Sequence, residues 1–221
     1  MSNGIETQGY LASSRNPFSY EKVEQLNRDI QTSWLTLDEI TQQLNLFEDE
    51  SQDSYLSGLE VATRMAIEDY LGMSIFPITW KVYYGNTNVT GTQICLDLPE
   101  ITPNSQYSSN GVVINSVTYY NNSTPPVLTT LATSQYYYDP TGNKVVCTSL
   151  PSDVNNIMSN PVMVTYTTGA NFYAQYPVIK QAGLLLLTHL YNNRSNTTRD
   201  KLNELPFGVT QLLRPYKPLV M

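Results

Sequence analysis

The first regular pattern along the chain is helical. Thr36 and Glu39 have the spacing of a capping box, in which each side chain hydrogen-bonds the backbone N–H of the other residue, so a helix is predicted to begin after Thr36. A second, longer helix is predicted to begin near Ser51 or Asp53, and Gly72 suits the left-handed position just past its end. The apolar faces comprise Leu37, Ile40, Leu44 and Phe47 in the first helix, and Tyr55, Leu59, Ala62, Ala66 and Tyr70 in the second. The two segments together predict a helical hairpin.

A polar arm, residues 1–33, precedes this hairpin. Val23, Leu26 and Ile30 follow one another at spacings of three and four, which predicts a short amphipathic helix within the arm. An arm of this polarity is either mobile or ordered by a partner.

The pattern then changes to an alternation with a period of two, which is typical of half-buried strands. Strands are predicted over 78–84, 94–98, 112–120, 135–138, 144–148 and 162–166. Residues 139–143 form a good hairpin turn, in which Pro140 suits an early position and Gly142 accepts a positive φ. These segments predict a small antiparallel sheet or sandwich.

Helical spacing returns near the end of the chain. Pro177 suits the first position of a helix, where its missing N–H costs nothing. The predicted helix has one stripe of Ile179, Gly183, Leu186 and Leu190 and an adjacent stripe of Val178, Ala182, Leu185 and His189. A face this broad predicts a helix that is buried against its neighbours.

The order of these segments predicts an α+β fold. Its helical core is formed by an N-terminal helix pair and a C-terminal helix, and the antiparallel β domain is inserted between them. The expected divisions are an arm (1–33), the first part of the helical core (34–74), the β domain (75–169), the second part of the core (170–204) and a C-terminal segment (205–221).

Composition narrows the classes of protein that fit. Only 14% of the 221 residues are charged, and the net charge of −7 argues against a nucleic-acid-binding surface, which needs clustered Lys and Arg. No apolar run approaches the roughly 20 residues that cross a bilayer, so no membrane is expected. The N-terminus lacks the pattern of a secretory signal, and Cys95 and Cys147 cannot build a disulfide framework.

Candidate catalytic and metal-binding residues are sparse. His189, the one histidine, lies among leucines with no nucleophile or orienting partner in a recognisable motif, so we expect a structural role. The cysteines lack a CxxC partner, and the acidic residues 48–53 lack the ligand spacing of an EF-hand. We therefore predict no catalytic residues, no metal and no cofactor.

Tyrosine is unusually frequent, with 17 residues. Neighbouring tyrosines on a strand point to opposite faces, so one face offers amphipathic contact area that suits subunit interfaces. Tyr83, Tyr119 and Tyr137 are the candidate interface residues. Two alternatives remain open: strands simply favour tyrosine, or the exposed rings bind carbohydrate.

Four stretches of the sequence resemble the head–tail connector proteins of tailed bacteriophages, which are also called adaptor or head-completion proteins. These stretches are 34–39, 66–72 with 77–80, 164–169 with 177–194, and 205–216. The resemblance implies a structural protein without enzymatic activity that forms a ring, usually dodecameric, beneath the portal and extends the DNA channel. It also implies that the C-terminal segment contacts the portal protein through Phe207, Leu212, Leu213, Arg214 and Tyr216.

The expected location is therefore the neck of a virion, after assembly in the host cytoplasm. The expected partners are further copies of the chain, the portal protein and a tail or nozzle protein. DNA would pass through the channel without specific binding, because a net negative chain repels phosphates. The alternative from another class is a phage tail or surface module that binds polysaccharide through the tyrosine-rich sheet.

Overall fold

The computed structural model describes residues 20–46, 50–85, 94–99, 111–169, 176–194 and 207–217. Within these residues the chain divides into two compact units. The β unit contains the described residues up to Arg28 and Pro77–Gly169, and the helical unit contains those of Asp29–Phe76 and from Tyr176 onward. The predicted α+β fold class is confirmed.

The first two helices begin where the sequence predicts, and the second also ends there, but α1 ends earlier than predicted. Helix α1 (Leu37–Leu44) is preceded by the capping box: the N–H of Glu39 donates to Thr36 Oγ1 at 3.2 Å, and the N–H of Thr36 donates to Glu39 Oε2 at 2.9 Å. Helix α2 (Asp53–Leu71) ends at Gly72, whose φ of 69° is left-handed. Helix α1 stops at Leu44 because Asn45 is left-handed, with a φ of 56°, so the predicted continuation of the helix to Phe47 is wrong; Phe47 itself lies outside the described residues.

Helix α3 (Pro177–Asn192) has proline at its first position, as predicted. Its buried residues are Ile179, Ala182, Gly183, Leu186 and Leu187. In the predicted second stripe Ala182 is buried, but Leu185 is exposed and His189 is half-buried. The buried face of α3 is therefore centred closer to Leu187. At Gly183 the indole of Trp34 lies against the helix, 2.7 Å from where a Cβ would be.

A short helix, α4 (Phe207–Leu213), and a 3-10 turn (Arg214–Tyr216) complete the described part of the helical unit. Val209 and Leu213 are fully buried in the same core as α1, α2 and α3. The ammonium of Lys180 on α3 also contacts Glu39 Oε1 of α1 at 2.7 Å. This ion pair is partly exposed, so we expect it to contribute less than burial of the apolar side chains.

The β unit is a two-layer antiparallel sandwich. Its strands are β1 (Tyr20–Arg28), β2 (Ile78–Tyr84), β3 (Ile94–Asp97), β4 (Val113–Tyr120), β5 (Leu128–Thr130), β6 (Tyr136–Asp139), β7 (Lys144–Cys147) and β8 (Val162–Thr167). One sheet has the order β1-β2-β8-β4-β5 and the other β3-β7-β6. Alternate residues of both sheets share one core, and the hydroxyl of Tyr84 on β2 donates to the carbonyl of Asp97 on β3 at 2.8 Å.

All six predicted strands are present, but the helix predicted around Val23 is wrong. Residues 20–28 form strand β1, which pairs with β2 along its whole length. The register of this pair shifts twice, between Tyr20 and Lys22 and between Gln25 and Asn27. Such irregularities interrupt the period-two alternation that would identify a strand from sequence. Pairing with a neighbouring strand then outweighs a weak helical pattern.

The hairpin turn at 139–143 is present, but the left-handed residue is Asn143, with a φ of 49°, and not Gly142. Asparagine tolerates this conformation better than most residues. Its side chain is also held on both sides: Nδ2 donates to the carbonyl of Leu98 at 3.0 Å, and Oδ1 accepts from the Tyr138 hydroxyl at 3.0 Å.

The contact between Trp34 and α3 can be tested with alanine. Gly183→Ala should lower the free energy of unfolding by about 1–3 kcal/mol, because the new methyl group overpacks the indole. Gly58→Ala is the matched control, since Gly58 is exposed on α2 with nothing within 4 Å of the added Cβ. Helix propensity should make that variant more stable by about 0.5–1 kcal/mol. Thermal unfolding followed by circular dichroism measures both, and an unchanged melting temperature for Gly183→Ala would contradict the close contact.

Candidate interaction surfaces

Of the residues with reactive side chains, His189 belongs to the helical unit and Cys147 to the β unit. His189 is half-buried near the end of α3, where its Nδ1 lies 3.4 Å from Nδ2 of Asn193. Cys147 is fully buried, and burial raises the pKa of its thiol to about 11. Within the described ranges, no group of three or more His, Cys, Asp and Glu side chains could hold a metal ion. No helix in the same part of the chain has the length and apolar content needed to span a bilayer.

The most unusual charges lie inside the helical unit. Glu60, Arg64 and Glu68 are spaced by four residues along α2, and all three are buried. We call these residues the charged ladder. Glu60 Oε1 accepts hydrogen bonds from the backbone N–H of Trp34 at 2.9 Å and of Leu35 at 3.3 Å. Burial raises the pKa of Glu60, and these two hydrogen bonds oppose the shift.

The other two members of the charged ladder also bind backbone groups. Arg64 donates through Nη2 to the carbonyl of Asp29 at 2.7 Å, and its guanidinium lies 4.7 Å from the centre of the Phe76 ring. Glu68 Oε1 accepts from the N–H of Ile75 at 2.7 Å. The charged ladder therefore holds the segments that precede α1 and follow α2, which is a positioning role and not a catalytic one.

Sequence reasoning missed the charged ladder because it followed the wrong stripe of α2. The predicted stripe is exposed or half-buried, at Tyr55, Leu59, Ala62, Ala66 and Tyr70. Glu, Arg and Glu at intervals of four are usually read as ion pairs on a solvated helix face. The buried neighbours Leu56, Ile67 and Leu71, at helical spacing on the same face, were the signal that could have found it.

The predicted portal-contact residues differ sharply in exposure. Leu213 is fully buried in the helical core and, with Val209 one turn earlier, forms the inward face of α4. The prediction that Leu213 contacts the portal from the surface is therefore wrong. Leu212 and Tyr216 are half-buried against the same core, and Arg214 is exposed. The side chain of Phe207 lies outside the described residues. A contact through Leu212, Arg214 and Tyr216 stays a prediction.

The predicted interface tyrosines also differ in exposure. Tyr119 is 6% exposed and belongs to the core of the sandwich, because the register of β4 turns its side chain inward. The prediction that Tyr119 is an interface residue is therefore wrong. Tyr137 on β6 is 53% exposed. Tyr83 is half-buried, and its hydroxyl donates to Glu24 Oε2 at 2.6 Å, a hydrogen bond that raises the pKa of Tyr83 to about 12.

The polysaccharide alternative needs several exposed rings on one sheet face. Among the described tyrosines of the β unit, Tyr137 is exposed, while Tyr84, Tyr119 and Tyr166 are buried in the core. Tyr83 is further covered on its ring by the ammonium groups of Lys22 and Lys81, at 4.9 and 5.3 Å from the ring centre. The sheet therefore presents few open aromatic surfaces for stacking against sugars.

No protein-family model and no curated protein matches this chain. Solved structures do match it. The chain is similar to a chain in the neck of an empty GTA particle computed with C6 symmetry, with a TM-score of 0.60 and 18% identity. It is also similar to chains in the virion of a native gene transfer agent (GTA) particle (TM-score 0.59, 18% identity) and in the neck of a native GTA particle computed with C12 symmetry (TM-score 0.55, 17% identity). Each comparison covers 90% of this chain and 96% of the other, and at this identity it establishes a shared fold.

The charged ladder can be tested at its first residue. Glu60→Ala leaves the buried N–H groups of Trp34 and Leu35 without an acceptor, which should cost about 2–4 kcal/mol of unfolding free energy. Glu60→Gln keeps an oxygen acceptor at the same place and should cost less. Urea unfolding followed by Trp34 fluorescence, in a Trp80→Phe background, measures the helical unit. An equal loss of unfolding free energy in the two variants would show that the side-chain oxygen at position 60 does not stabilise the protein by accepting these hydrogen bonds.

Proposed function

We propose that this chain is a structural protein of the neck of a tailed phage or phage-like particle, where it forms a ring between the portal and the tail. The observation that carries the proposal is the shared fold over nearly the full length of both chains with proteins in particle necks. Those necks were computed with C6 and C12 symmetry. A ring of twelve copies, assembled in the host cytoplasm on the portal, is the arrangement that we infer for this chain.

The surfaces of the two units are compatible with a ring. A closed ring needs two different complementary faces on each copy. The larger sheet of the β unit has two different ends, a nine-residue strand β1 and a three-residue strand β5. A low content of charged residues and the exposed Tyr137 suit surfaces that neighbours cover.

The charge of the chain suits a channel through which DNA moves. The sequence has 12 basic and 19 acidic residues. A ring of such chains repels phosphates overall and does not retain the passing DNA. The function proposed here is therefore one of fitting between copies of the chain, the portal and a tail protein, without catalysis and without a cofactor.

Imaging of the particle that carries this chain tests the proposal. Cryo-electron microscopy of wild-type particles should show one ring with the fold of this chain between the portal and the tail. Particles made without the chain should accumulate as heads with no attached tail. Density for this fold on the tail surface or fibres, or normal tails in its absence, would contradict the proposal.

We further propose that the exposed surface of the 214–216 turn contacts the portal. Arg214→Ala should weaken attachment of the purified chain to portal-containing heads about tenfold, the loss expected on truncating an interface arginine. Gln211→Ala is the control, because Gln211 is exposed one turn earlier on α4. Co-sedimentation of the chain with heads measures attachment. Equal binding of the two variants would remove Arg214 from the portal contact.

A deletion of the whole C-terminal segment would not separate these roles. It removes Val209 and Leu213, whose side chains are buried in the helical core. Truncating a buried leucine to alanine alone typically costs 2–5 kcal/mol. Loss of attachment after the deletion would therefore report unfolding as readily as loss of a contact, which is why single exposed positions are preferred.

A further inference from the structure

Two loops at one end of the β unit are joined into a single structure. One connects β4 to β5, and the other connects β7 to β8. The N–H of Asn122 donates to the carbonyl of Asp153 at 2.8 Å, and the N–H of Asn155 donates to the carbonyl of Tyr120 at 2.8 Å. An antiparallel bridge between Asn121 and Val154 lies between these two bonds. The second loop thus continues the ladder of the sheet beyond the end of β4.

Each loop is also held from within by an asparagine. Asn155 is buried; its Oδ1 accepts from the N–H of Ile157 at 2.9 Å and of Met158 at 3.0 Å, and its Nδ2 donates to the carbonyl of Asn121 at 3.2 Å. In the other loop, Asn121 Oδ1 accepts from the N–H of Val127 at 2.9 Å. Such side-chain bonds to nearby backbone groups fix the path of a loop.

This ordered end of the sheet displays apolar side chains. Ile157 is 90% exposed and Val127 is 52% exposed. We call residues 121–127 and 151–160 the loop tip. Asparagine and backbone hydrogen bonds hold the two loops together with Val154, which packs against the core, whereas the side chain of Ile157 points into solvent. A fixed backbone that holds an isoleucine in solvent is, however, well suited to binding, because little conformational entropy remains to be lost.

We propose that the loop tip docks into an apolar pocket on a different protein of the particle, with Ile157 as the inserted side chain. The inference rests on the proposed neck function, which supplies a ring of copies and a neighbouring component. It names a contact site on this chain that the fold similarity does not assign.

The chemistry of the loop tip favours a protein pocket over other surfaces. Neither loop contains Lys or Arg, and Asp153 is the one charged residue in the two ranges. A surface of this kind does not attract DNA phosphates or anionic lipid headgroups. The two ranges also contain no aromatic residue to stack against a sugar ring. Aliphatic side chains with uncharged polar neighbours match an apolar pocket with a polar rim.

The size of the loop tip decides between a second copy and a different protein. A stable pairwise interface buries about 800 Å² on each partner, and the two exposed aliphatic side chains offer well under that area. The loop tip alone is therefore too small to hold two copies of the chain together. In the proposed ring every copy carries one loop tip, and several weak contacts that form together bind much more tightly than one alone. A partner that is itself present in several copies fits this geometry.

Substitution at the exposed end of the loop tests the proposal in assembling particles. Ile157→Ser should give heads that carry the ring of this chain but at least tenfold fewer attached tails, counted by electron microscopy. Asn155→Ala should reduce tail attachment as well, although Ile157 is retained, because its loop loses the bonds that hold it. Val113→Ser is the matched control: Val113 is 59% exposed at the other end of β4 and should leave tail attachment at the wild-type level.

The outcomes separate this inference from the proposed function. Normal tail numbers with Ile157→Ser would overturn the docking role of the loop tip while leaving the neck function intact. Loss of the ring itself, with a variant that circular dichroism shows to be folded, would show that the tip joins copies of the chain and would overturn the choice of a different protein. Absence of the wild-type chain from the neck would overturn the proposed function and this inference together.

Discussion

The helical unit depends on the three buried charges of α2. Glu60, Arg64 and Glu68 lie where a helix of this kind would normally place apolar residues. Burying a charge is costly unless it is paired and hydrogen-bonded. Here the arginine lies between two carboxylates along the helix, and each of the three groups also binds a backbone group of a segment that has no regular structure of its own. Removing one member leaves a backbone segment without its hydrogen-bond anchor, so the charged ladder fixes the chain path before α1 and after α2.

The parts of the fold that the sequence predicted are those set by local chemistry. A capping box at Thr36, a left-handed glycine at position 72 and a proline at the start of α3 each act within one turn of helix, so the residue types alone are informative. Alternation was equally informative for β2, β3, β7 and β8, whereas the three-residue strand β5 is too short to show it and was not predicted. Strand β1 was missed because its two irregularities break the alternation, and its identity depends on pairing with β2, whose residues lie 50 or more positions further along the chain. The charged ladder was missed because Glu, Arg and Glu at intervals of four also suit a solvated helix face, and the apolar residues Leu56, Ile67 and Leu71 beside it were not weighed.

The candidate surfaces were harder to predict than the fold. Tyr83, Tyr119 and Tyr137 are the same residue type in similar strands, yet one is half-buried, one is in the core and one is exposed, and only the register of each strand decides this. Ile157 carried no signal in the sequence, because a single isoleucine in a polar loop resembles any other. What distinguishes it is the buried Asn155 beside it, whose role is visible only once the two loops are seen to share hydrogen bonds.

In the C-terminal segment of the helical unit, the residues that stabilise the fold differ from those that face solvent. In α4, Val209 and Leu213 face the core, one helical turn apart, while Gln211 and Arg214 face solvent. The turn that follows is held by Tyr216, whose ring packs edge-on against Tyr176 at 5.6 Å, and by Lys217, whose ammonium lies 4.9 Å from the centre of the Tyr70 ring. Release of this segment to grip a partner would expose Leu213 and Val209 to water, at roughly 1.5–3 kcal/mol for each side chain. A portal contact made by the 214–216 turn is therefore expected to use the turn in place, through the exposed Arg214.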